Sequence, residues 1–298
     1  LQGIIMRKRL LLVLGSLLSL SVQADENLFG YIKGSEVLPD GAWEFYQVVT
    51  QRADKGVGKY TAYNTETELE YGVSDRFTVK GEIKGQSIDT SGLLIDGYMP
   101  GDEKYGLKFQ GGEISGKYNF LSPALDDFGL SMAAGLDYLV LDPHSGRDKD
   151  TISIDLEIQL QKYFLEGQLI WAANFGTEGT RATRKPIDNL PEDFEWPTGM
   201  EVEIEFWAGT GLSYRFVPNW FIGVETLYET EYETEVAMER NSVFAGPTLH
   251  YGGEDYWFTL TYFDQVRGGG ETFEGQPSGL HLIEKTEQEI RFKVGLNF

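Results

Sequence analysis

The sequence of 298 residues contains no cysteine, only three histidines and only ten prolines. Without cysteine, a disulfide scaffold, a thiolate zinc site and a cysteine nucleophile are all excluded. Basic residues are also scarce, because 25 lysines and arginines stand against 47 acidic residues, for a net charge of −22. A chain this acidic lacks the basic footprint of nucleic-acid binding, so we expect no nucleic-acid partner.

The first 24 residues have the features of a signal peptide. Met6 is the expected start, a basic stretch follows at Arg7–Arg9, and Leu10–Leu20 is apolar apart from small residues. An apolar stretch of this length is too short to span a bilayer, which argues against a membrane anchor. We therefore predict that residues 1–24 comprise upstream residues and a signal peptide that is cleaved after Ala24 during export.

Beyond residue 24 the dominant pattern is an alternation of apolar and polar side chains. Thr151–Gln161 shows it best, since five aliphatic residues, from Ile152 to Leu160, occupy every second position and polar residues occupy the others. In a β-strand these two sets point to opposite faces. The segment is therefore predicted to be a strand with one apolar and one polar face.

The same sorting recurs in twelve segments, which are joined by alternating short and long connections. The predicted strands span residues 41–52, 60–71, 76–86, 111–121, 128–140, 151–162, 165–176, 200–214, 219–230, 241–251, 256–267 and 286–298. Short turns at one end and long loops at the other are typical of an outer-membrane barrel. We predict an all-β fold, a single transmembrane antiparallel β-barrel of about twelve strands over residues 41–298, with ten to fourteen strands as the range.

The remaining segment, residues 25–40, is expected to lie in the periplasm or in the lower lumen. Whether it plugs the barrel is left open by the sequence. The long loops are predicted to face the cell exterior, so that a tag inserted near residues 178–183 would be reachable on intact cells. Aromatic residues flank the short turns, as at Tyr71 and Phe77 or at Tyr251 and Tyr256, and predict one membrane girdle at that end.

The chain ends in a strand-like segment with an alternating apolar set, Phe292, Val294, Leu296 and Phe298. Together with the signal peptide, the alternation and the aromatic turns, this ending resembles the Gram-negative outer-membrane β-barrel proteins, including porin-like and uncharacterised ones. In that family a C-terminal phenylalanine strand is the signal read by the barrel-assembly machinery. The resemblance implies localisation in the outer membrane, with that machinery, membrane lipid and lipopolysaccharide as partners.

A soluble barrel or a β-sandwich is the structural alternative. Such folds place apolar residues inside and polar residues outside. Twelve long strands with charge-rich polar faces fit this arrangement poorly, because their apolar faces would need a large dry interior. The membrane barrel is therefore favoured.

Charged residues on the polar faces are the candidate site, since they are expected to line the lumen. The acidic set on the sixth, eighth and ninth predicted strands comprises Asp155, Glu157, Glu201, Glu203, Glu205, Glu225 and Glu229. A mixed set on the second, third, fourth and twelfth strands comprises Glu66, Glu68, Arg76, Lys80, Lys117, Arg291 and Lys293. An acidic wall facing a mixed wall predicts a pore that passes small polar or cationic solutes.

Two other function classes stay open. A non-conducting structural or ligand-binding barrel would hold the same charges in internal salt bridges, and twelve strands lie between the filled and the open barrel sizes. An enzyme is remote, because His144, His250 and His281 stand in no catalytic motif and no metal-binding spacing occurs. We expect no catalytic residues, no cofactor and no metal, and the sequence leaves the oligomeric state open.

Overall fold

The computed structural model describes residues 27–233 and 238–298, so the predicted signal peptide lies outside the described residues. The described part of the chain is built from β-strands and connecting loops. None of its segments is a helix long and apolar enough to cross a membrane.

Twelve long strands form the barrel, and two short ones form a hairpin in a loop. The barrel strands are β1 (Trp43–Ala53), β2 (Lys59–Ser74), β3 (Phe77–Ser91), β6 (Lys104–Leu121), β7 (Gly129–Leu141), β8 (Asp148–Phe164), β9 (Leu169–Arg184), β10 (Met200–Val217), β11 (Trp220–Glu233), β12 (Arg240–Gly252), β13 (Tyr256–Gly270) and β14 (Gln288–Asn297). The hairpin strands are β4 (Leu94–Ile95) and β5 (Met99–Pro100).

Each barrel strand pairs with its neighbours along the chain, and β1 pairs antiparallel with β14 to close the barrel. Backbone hydrogen bonds between Trp43 and Phe298 continue this seam beyond β14. The predicted fold, a closed antiparallel barrel of twelve strands, is confirmed.

The barrel is apolar outside and polar inside. On β8, Ile154 is 61% exposed on the outer face, whereas Gln159 is 1% exposed on the inner face. The other inward residues of this strand, from Thr151 to Gln161, are likewise mostly buried polar side chains. This arrangement fits a barrel whose outer face meets lipid, and the soluble alternative is wrong because it requires the opposite sorting.

Several strands extend further at the long-loop end than the alternation predicted. β3 continues to Ser91, β6 begins at Lys104 and β9 continues to Arg184. Beyond the apolar band both faces of a strand can be polar, so the backbone ladder continues after the side-chain alternation has ended. The predicted end of the seventh strand at residue 176 is therefore wrong, because the expected tag site at residues 178–183 lies within β9, and the loop that follows comprises residues 185–199.

Aromatic side chains cluster on the outer surface at the short-turn end. Trp220 packs against Tyr251 with ring centroids 5.2 Å apart, and Tyr251 packs against Tyr256 at 5.4 Å. Trp43 and Tyr71 form a further pair at 4.5 Å. Amphipathic rings at this level are typical of the boundary between hydrocarbon and headgroups.

Candidate functional site

The N-terminal segment runs along the inside of the barrel near its short-turn end, and we call residues 27–38 the inner belt. Its backbone and side chains contact the inner wall from β14 around to β3. At one end, Lys293 on β14 donates a hydrogen bond to the Asn27 side chain at 2.5 Å. At the other end, Thr78 on β3 accepts the Leu38 N–H at 2.9 Å. The belt thus follows most of the inner circumference before the chain enters β1.

A carboxylate on β11 makes three hydrogen bonds to the backbone of the inner belt. Glu225 accepts the backbone N–H groups of Gly30, Tyr31 and Ile32 at 2.8, 2.9 and 3.2 Å. A carboxylate that accepts several N–H groups makes stronger hydrogen bonds than a neutral acceptor does. This one side chain therefore fixes three successive residues of the belt.

Side-chain amides hold the next part of the belt. The Asn174 side chain accepts the Lys33 N–H at 2.7 Å and donates to the Lys33 carbonyl at 2.9 Å. Gln161 accepts the Ser35 N–H, and Asn119 donates to the Ser35 carbonyl, both at 2.7 Å. These amides give the belt backbone the partners that a strand neighbour would otherwise provide.

Glycines on the inner face of β10 make room for the apolar side chains of the belt. Phe29 and Ile32 are each 1% exposed. A methyl group added at Gly211 would lie 2.6 Å from the Phe29 ring, and one at Gly209 would collide with Ile32. The two glycines therefore let the belt side chains approach the backbone of β10, while Ile170, Ala172 and Phe221 complete the apolar contact.

The Tyr31 ring is held between two wall residues. It stacks on Phe263 with ring centroids 4.3 Å apart, and the Arg291 guanidinium lies 4.0 Å from the centroid of the Tyr31 ring. The Tyr31 hydroxyl donates to Glu289 at 2.5 Å. This side chain is thus fixed against β13 and β14, away from the β8–β9 side of the lumen.

Two polar cavities lie in the lumen, and residues of the inner belt line both of them. The long-loop chamber has a volume of about 510 Å³ and the short-turn chamber a volume of about 270 Å³. Five residues line both chambers: Tyr31, Lys33, Glu66, Lys84 and Arg291. The junction of the two chambers therefore carries four charged side chains, two of which are contributed by neighbouring strands β2 and β3.

The structure places the sequence-predicted acidic residues on the inner face of β8, β10 and β11. Glu157, Glu203, Glu205 and Glu229 line the long-loop chamber. Glu201 is buried at the long-loop end of β10, and Asp155 follows the inward alternation of β8. Glu225 differs from the others, because its carboxylate is occupied by the inner belt.

The predicted residues of the mixed wall surround the short-turn chamber, with one exception. This chamber is lined by Glu66, Glu68, Lys80, Lys117, Arg291 and Lys293. Arg76 does not belong to this wall, because it lies exposed in the turn between β2 and β3. Its prediction as a lumen residue is wrong, since the strand begins one residue later than the alternation suggested.

The acidic wall contains basic residues that sequence reasoning missed. Lys149 on β8 lies 3.4 Å from Glu201 and 3.3 Å from Glu203, and Arg184 on β9 lies 2.7 Å from Glu201. Positive groups were expected mostly elsewhere, and this expectation is wrong. Both cations occupy inward positions in the alternation of their strands, so extending the predicted strands would have revealed them.

Arg240 neutralises a second group of carboxylates. Its guanidinium lies 2.6 Å from Glu205, 2.5 Å from Glu231 and 2.7 Å from Glu284. Glu231, Glu284 and Glu239 bring one carboxylate oxygen each to within 4.8 Å of one another, which is a possible arrangement for a metal ion. Because Arg240 already pairs with two of the three, the guanidinium provides the positive charge that a metal would otherwise supply.

The mixed wall is also internally paired. Lys80 lies 3.0 Å from Glu68, 3.0 Å from Glu82 and 3.2 Å from Glu113. Lys84 lies 2.5 Å from Asp137. The charges of this wall are therefore held in a network of ion pairs across β2, β3, β6 and β7.

Long loops pack over the other end of the barrel. Ile95 and Met99 of the β4–β5 hairpin join Tyr60, Ile88 and Ile283 in a buried apolar cluster. Pro143, from the loop after β7, reaches into the lumen, where its carbonyl accepts hydrogen bonds from Arg52 and Gln86. The long-loop chamber is thus covered by a cap made of several loops.

Buried ionisable groups lie within this cap. Burial, and to a smaller extent the nearby Arg52, lowers the pKa of Lys55 to about 7. The Lys55 ammonium donates to the carbonyl groups of Ile283 and Lys285. Burial, followed by the charge of Glu284, raises the pKa of Glu239 to about 8. Both groups therefore titrate near neutral pH.

The three histidines have structural partners. His250 lies 2.8 Å from the Thr259 hydroxyl at the short-turn end, and His281 lies 3.2 Å from the Glu271 carbonyl in the cap. His144 lies 4.0 Å from Glu284. His250 therefore lies at the opposite end of the barrel from His144 and His281, which both lie near Glu284.

The chain can be compared with known proteins. Residues 21–298 match a family of unknown function, DUF6662. No curated protein matches the sequence. An outer membrane channel from Pseudomonas putida F1 is similar in structure, with a TM-score of 0.58, 12% identity, and coverage of 89% of this chain and 98% of that one. The beta domain of the Bordetella autotransporter Brka has a TM-score of 0.54 and 13% identity, and the alignment covers 88% of this chain and all of that domain.

These likenesses show the fold. At 12% and 13% identity they establish that the chain has the barrel architecture of outer-membrane proteins. The resemblance to Gram-negative outer-membrane barrels that the sequence indicated is confirmed at this level.

Proposed function

The chain belongs to DUF6662, a family of unknown function, and we propose from its geometry that it is an outer-membrane channel for passive diffusion of small polar or cationic solutes. The observation that carries this proposal is the pair of polar chambers, which meet at five shared lining residues. A membrane barrel with a polar, charged interior offers passing solutes a substitute for their hydration. The similar fold of the Pseudomonas putida F1 outer membrane channel supports the same proposal.

Charge along the long-loop chamber favours cationic solutes. Its lining includes ten carboxylates: Glu66, Asp137, Glu157, Glu178, Glu203, Glu205, Glu229, Glu231, Glu284 and Glu289. The lining lysines and arginines are fewer: Lys33, Arg52, Lys84, Lys149, Arg240, Lys285 and Arg291. The surplus of negative charge attracts cations into the chamber and repels anions.

Planar-bilayer recording of the purified protein tests the proposal. We expect single-channel conductance with a cation-to-anion permeability ratio above one. Replacing Glu201, Glu203 and Glu205 by glutamine should lower this ratio, because Lys149, Arg184 and Arg240 would keep their charges while losing partners. Glu192→Gln, in the exposed loop after β9, is the matched control and should leave the ratio unchanged. A wild-type protein without conductance would remove the channel proposal.

A non-conducting structural or ligand-binding barrel is the second candidate. It is favoured by the inner belt and the loop cap, which occupy both ends of the lumen, and by the ion pairs that join the wall charges. The recordings separate the two candidates, since a closed barrel gives no current. Neither candidate assigns a catalytic role to the protein.

A further inference from the structure

The carboxylates on the inner face of the barrel are not evenly paired with cations. On β10 and β11, Glu201, Glu203, Glu205 and Glu231 all lie within ion-pair distance of Lys149, Arg184 or Arg240. The carboxylates on β8 and β9 are arranged differently. Within residues 27–233 and 238–298, Asp155 and Glu178 form no ion pair with a lysine or arginine of the wall.

The strand register brings these two carboxylates together. Asp155 on β8 is directly opposite Glu178 on β9, and Glu178 is directly opposite Glu205 on β10. Like charges at directly opposed positions of neighbouring strands repel each other. Glu205 pairs with Arg240, so Asp155 and Glu178 are the two carboxylates of this opposed set that pair with no lysine or arginine of the wall among the described residues.

Lys33 of the inner belt lies on this side of the lumen. Its ammonium is 3.8 Å from Glu157, the next inward residue after Asp155 on β8. The Lys33 side chain is 56% exposed, and it lines both chambers. Glu157 is buried, but its carboxylate also accepts hydrogen bonds from Gln159 at 2.6 Å and from Trp207 at 3.1 Å. The ammonium can therefore leave Glu157 without depriving this carboxylate of all its partners.

The backbone of Lys33 is fixed independently of its side chain. Asn174 binds both its N–H, at 2.7 Å, and its carbonyl, at 2.9 Å. Glu225 holds the three preceding residues. The belt therefore presents a movable ammonium from a fixed point at the junction of the two chambers.

We propose that Lys33 is a specificity-determining residue, a tethered cation that compensates the acidic side chains of β8 and β9 and competes with solute cations for them. This inference rests on the proposed channel function. A cation that passes the junction has to displace the Lys33 ammonium from Glu157 or pass it, whereas an anion is drawn towards it. Lys33 thus limits the cation preference that the wall carboxylates alone would produce.

The test is the reversal potential in a potassium chloride gradient for Lys33→Gln, with Lys33→Arg as the charge-conserving variant. We expect Lys33→Gln to raise the potassium-to-chloride permeability ratio about threefold, because one unit charge is removed from a hydrated lumen. Lys33→Arg should keep the wild-type ratio. Lys162→Gln removes a positive charge beside Phe164 at the short-turn end of β8, and it should leave the ratio unchanged.

A cysteine variant allows the charge at position 33 to be changed by chemical modification after the protein has folded. The chain has no cysteine, so Lys33→Cys carries a single reactive thiol. Modification with a cationic thiosulfonate should return the ratio to the wild-type value, and an anionic reagent should raise it above that of Lys33→Gln. Conductance with the same ratio in Lys33→Gln, or after either modification, would overturn the role of Lys33 while leaving the channel intact. Absence of conductance in the wild type would overturn both proposals.

Discussion

The carboxylate of Glu225 on β11 accepts the backbone N–H of Gly30 at 2.8 Å, across a sequence separation of 195 residues. Glu225 is 2% exposed, so its charge is compensated by the inner belt rather than by water. A residue predicted from the sequence to line an open lumen is thus an anchor for the segment that narrows it.

Glu225→Gln should loosen the inner belt. The amide keeps one acceptor oxygen but loses its charge, and hydrogen bonds to a charged group contribute about 1.5–3 kcal/mol against about 1 kcal/mol for neutral ones. In a Lys33→Cys background we expect several-fold faster thiol labelling when Glu225→Gln is added. Glu192→Gln, in an exposed loop, should leave the labelling rate as it is. Equal rates in all three proteins would mean that Glu225 does not hold the belt.

Gly211→Ala should displace the belt by steric contact. The added methyl group would lie 2.6 Å from the Phe29 ring, and overpacking of this kind costs about 1–3 kcal/mol. We expect a lower temperature for the heat-dependent change in gel migration. Gly179→Ala on β9 is the matched control, since its methyl group would have no atom within 4 Å. The packing argument would be refuted by a Gly211→Ala barrel as stable as the Gly179→Ala one.

Stability of the loop cap should depend on the protonation of Lys55. Its pKa is about 7 in the folded protein against an ordinary value of 10.5, so between these values the folded state binds fewer protons than the unfolded state. The contribution of Lys55 to the free energy of unfolding is therefore lowest and constant below pH 7, and it rises from pH 7 towards pH 10. The groups that act on it are Arg52, Glu284, Asp142 and Lys285.

Unfolding temperatures measured from pH 6 to pH 9.5 test this dependence. Lys55→Met should remove part of the rise with pH, because methionine has no proton to lose. Lys59→Met, at an exposed position at the start of β2, should retain the wild-type profile. If wild type and Lys55→Met have parallel profiles, Lys55 is not the titrating group.

A tag placed in the loop after β9 should reveal the orientation of the barrel. Insertion after Asp188 falls in residues 185–199, between β9 and β10, and should be detected by antibody on intact cells. Insertion after Leu125, which is 88% exposed in the short turn between β6 and β7, should be detected only after the outer membrane is permeabilised. The reverse pattern would place the short turns at the cell surface.

The barrel itself could be predicted from the sequence because the environment of each strand determines its alternation of apolar and polar residues, and this pattern can be recognised within a single strand. Ile152, Ile154 and Leu156 alternate with polar residues, since one face of β8 meets an apolar surrounding and the other a polar interior. The same alternation also predicts some of the lumen charges that the sequence analysis missed. Lys149 is two residues from Thr151 on the same inward face, and Arg184 is two residues from Ala182.

The path of the inner belt could not be predicted in this way. Its partners, such as Glu225 for Gly30 and Asn174 for Lys33, are side chains that bind backbone groups, and backbone groups are the same at every residue. Residues 27–38 form no strand and show no period. Inward glycines such as Gly209 and Gly211 are a local sign of the belt, but the sequence does not show which side chains lie over them.

The position of the inner belt has a consequence for the order in which the protein folds. Asn27 bonds to Lys293 across 266 residues, and Tyr31 to Glu289 across 258. Contacts of such sequence separation form late, because the intervening chain must first be organised. The inner belt therefore reaches its final position only after the last strand has been added. Its contacts with β14 form only when the barrel is complete.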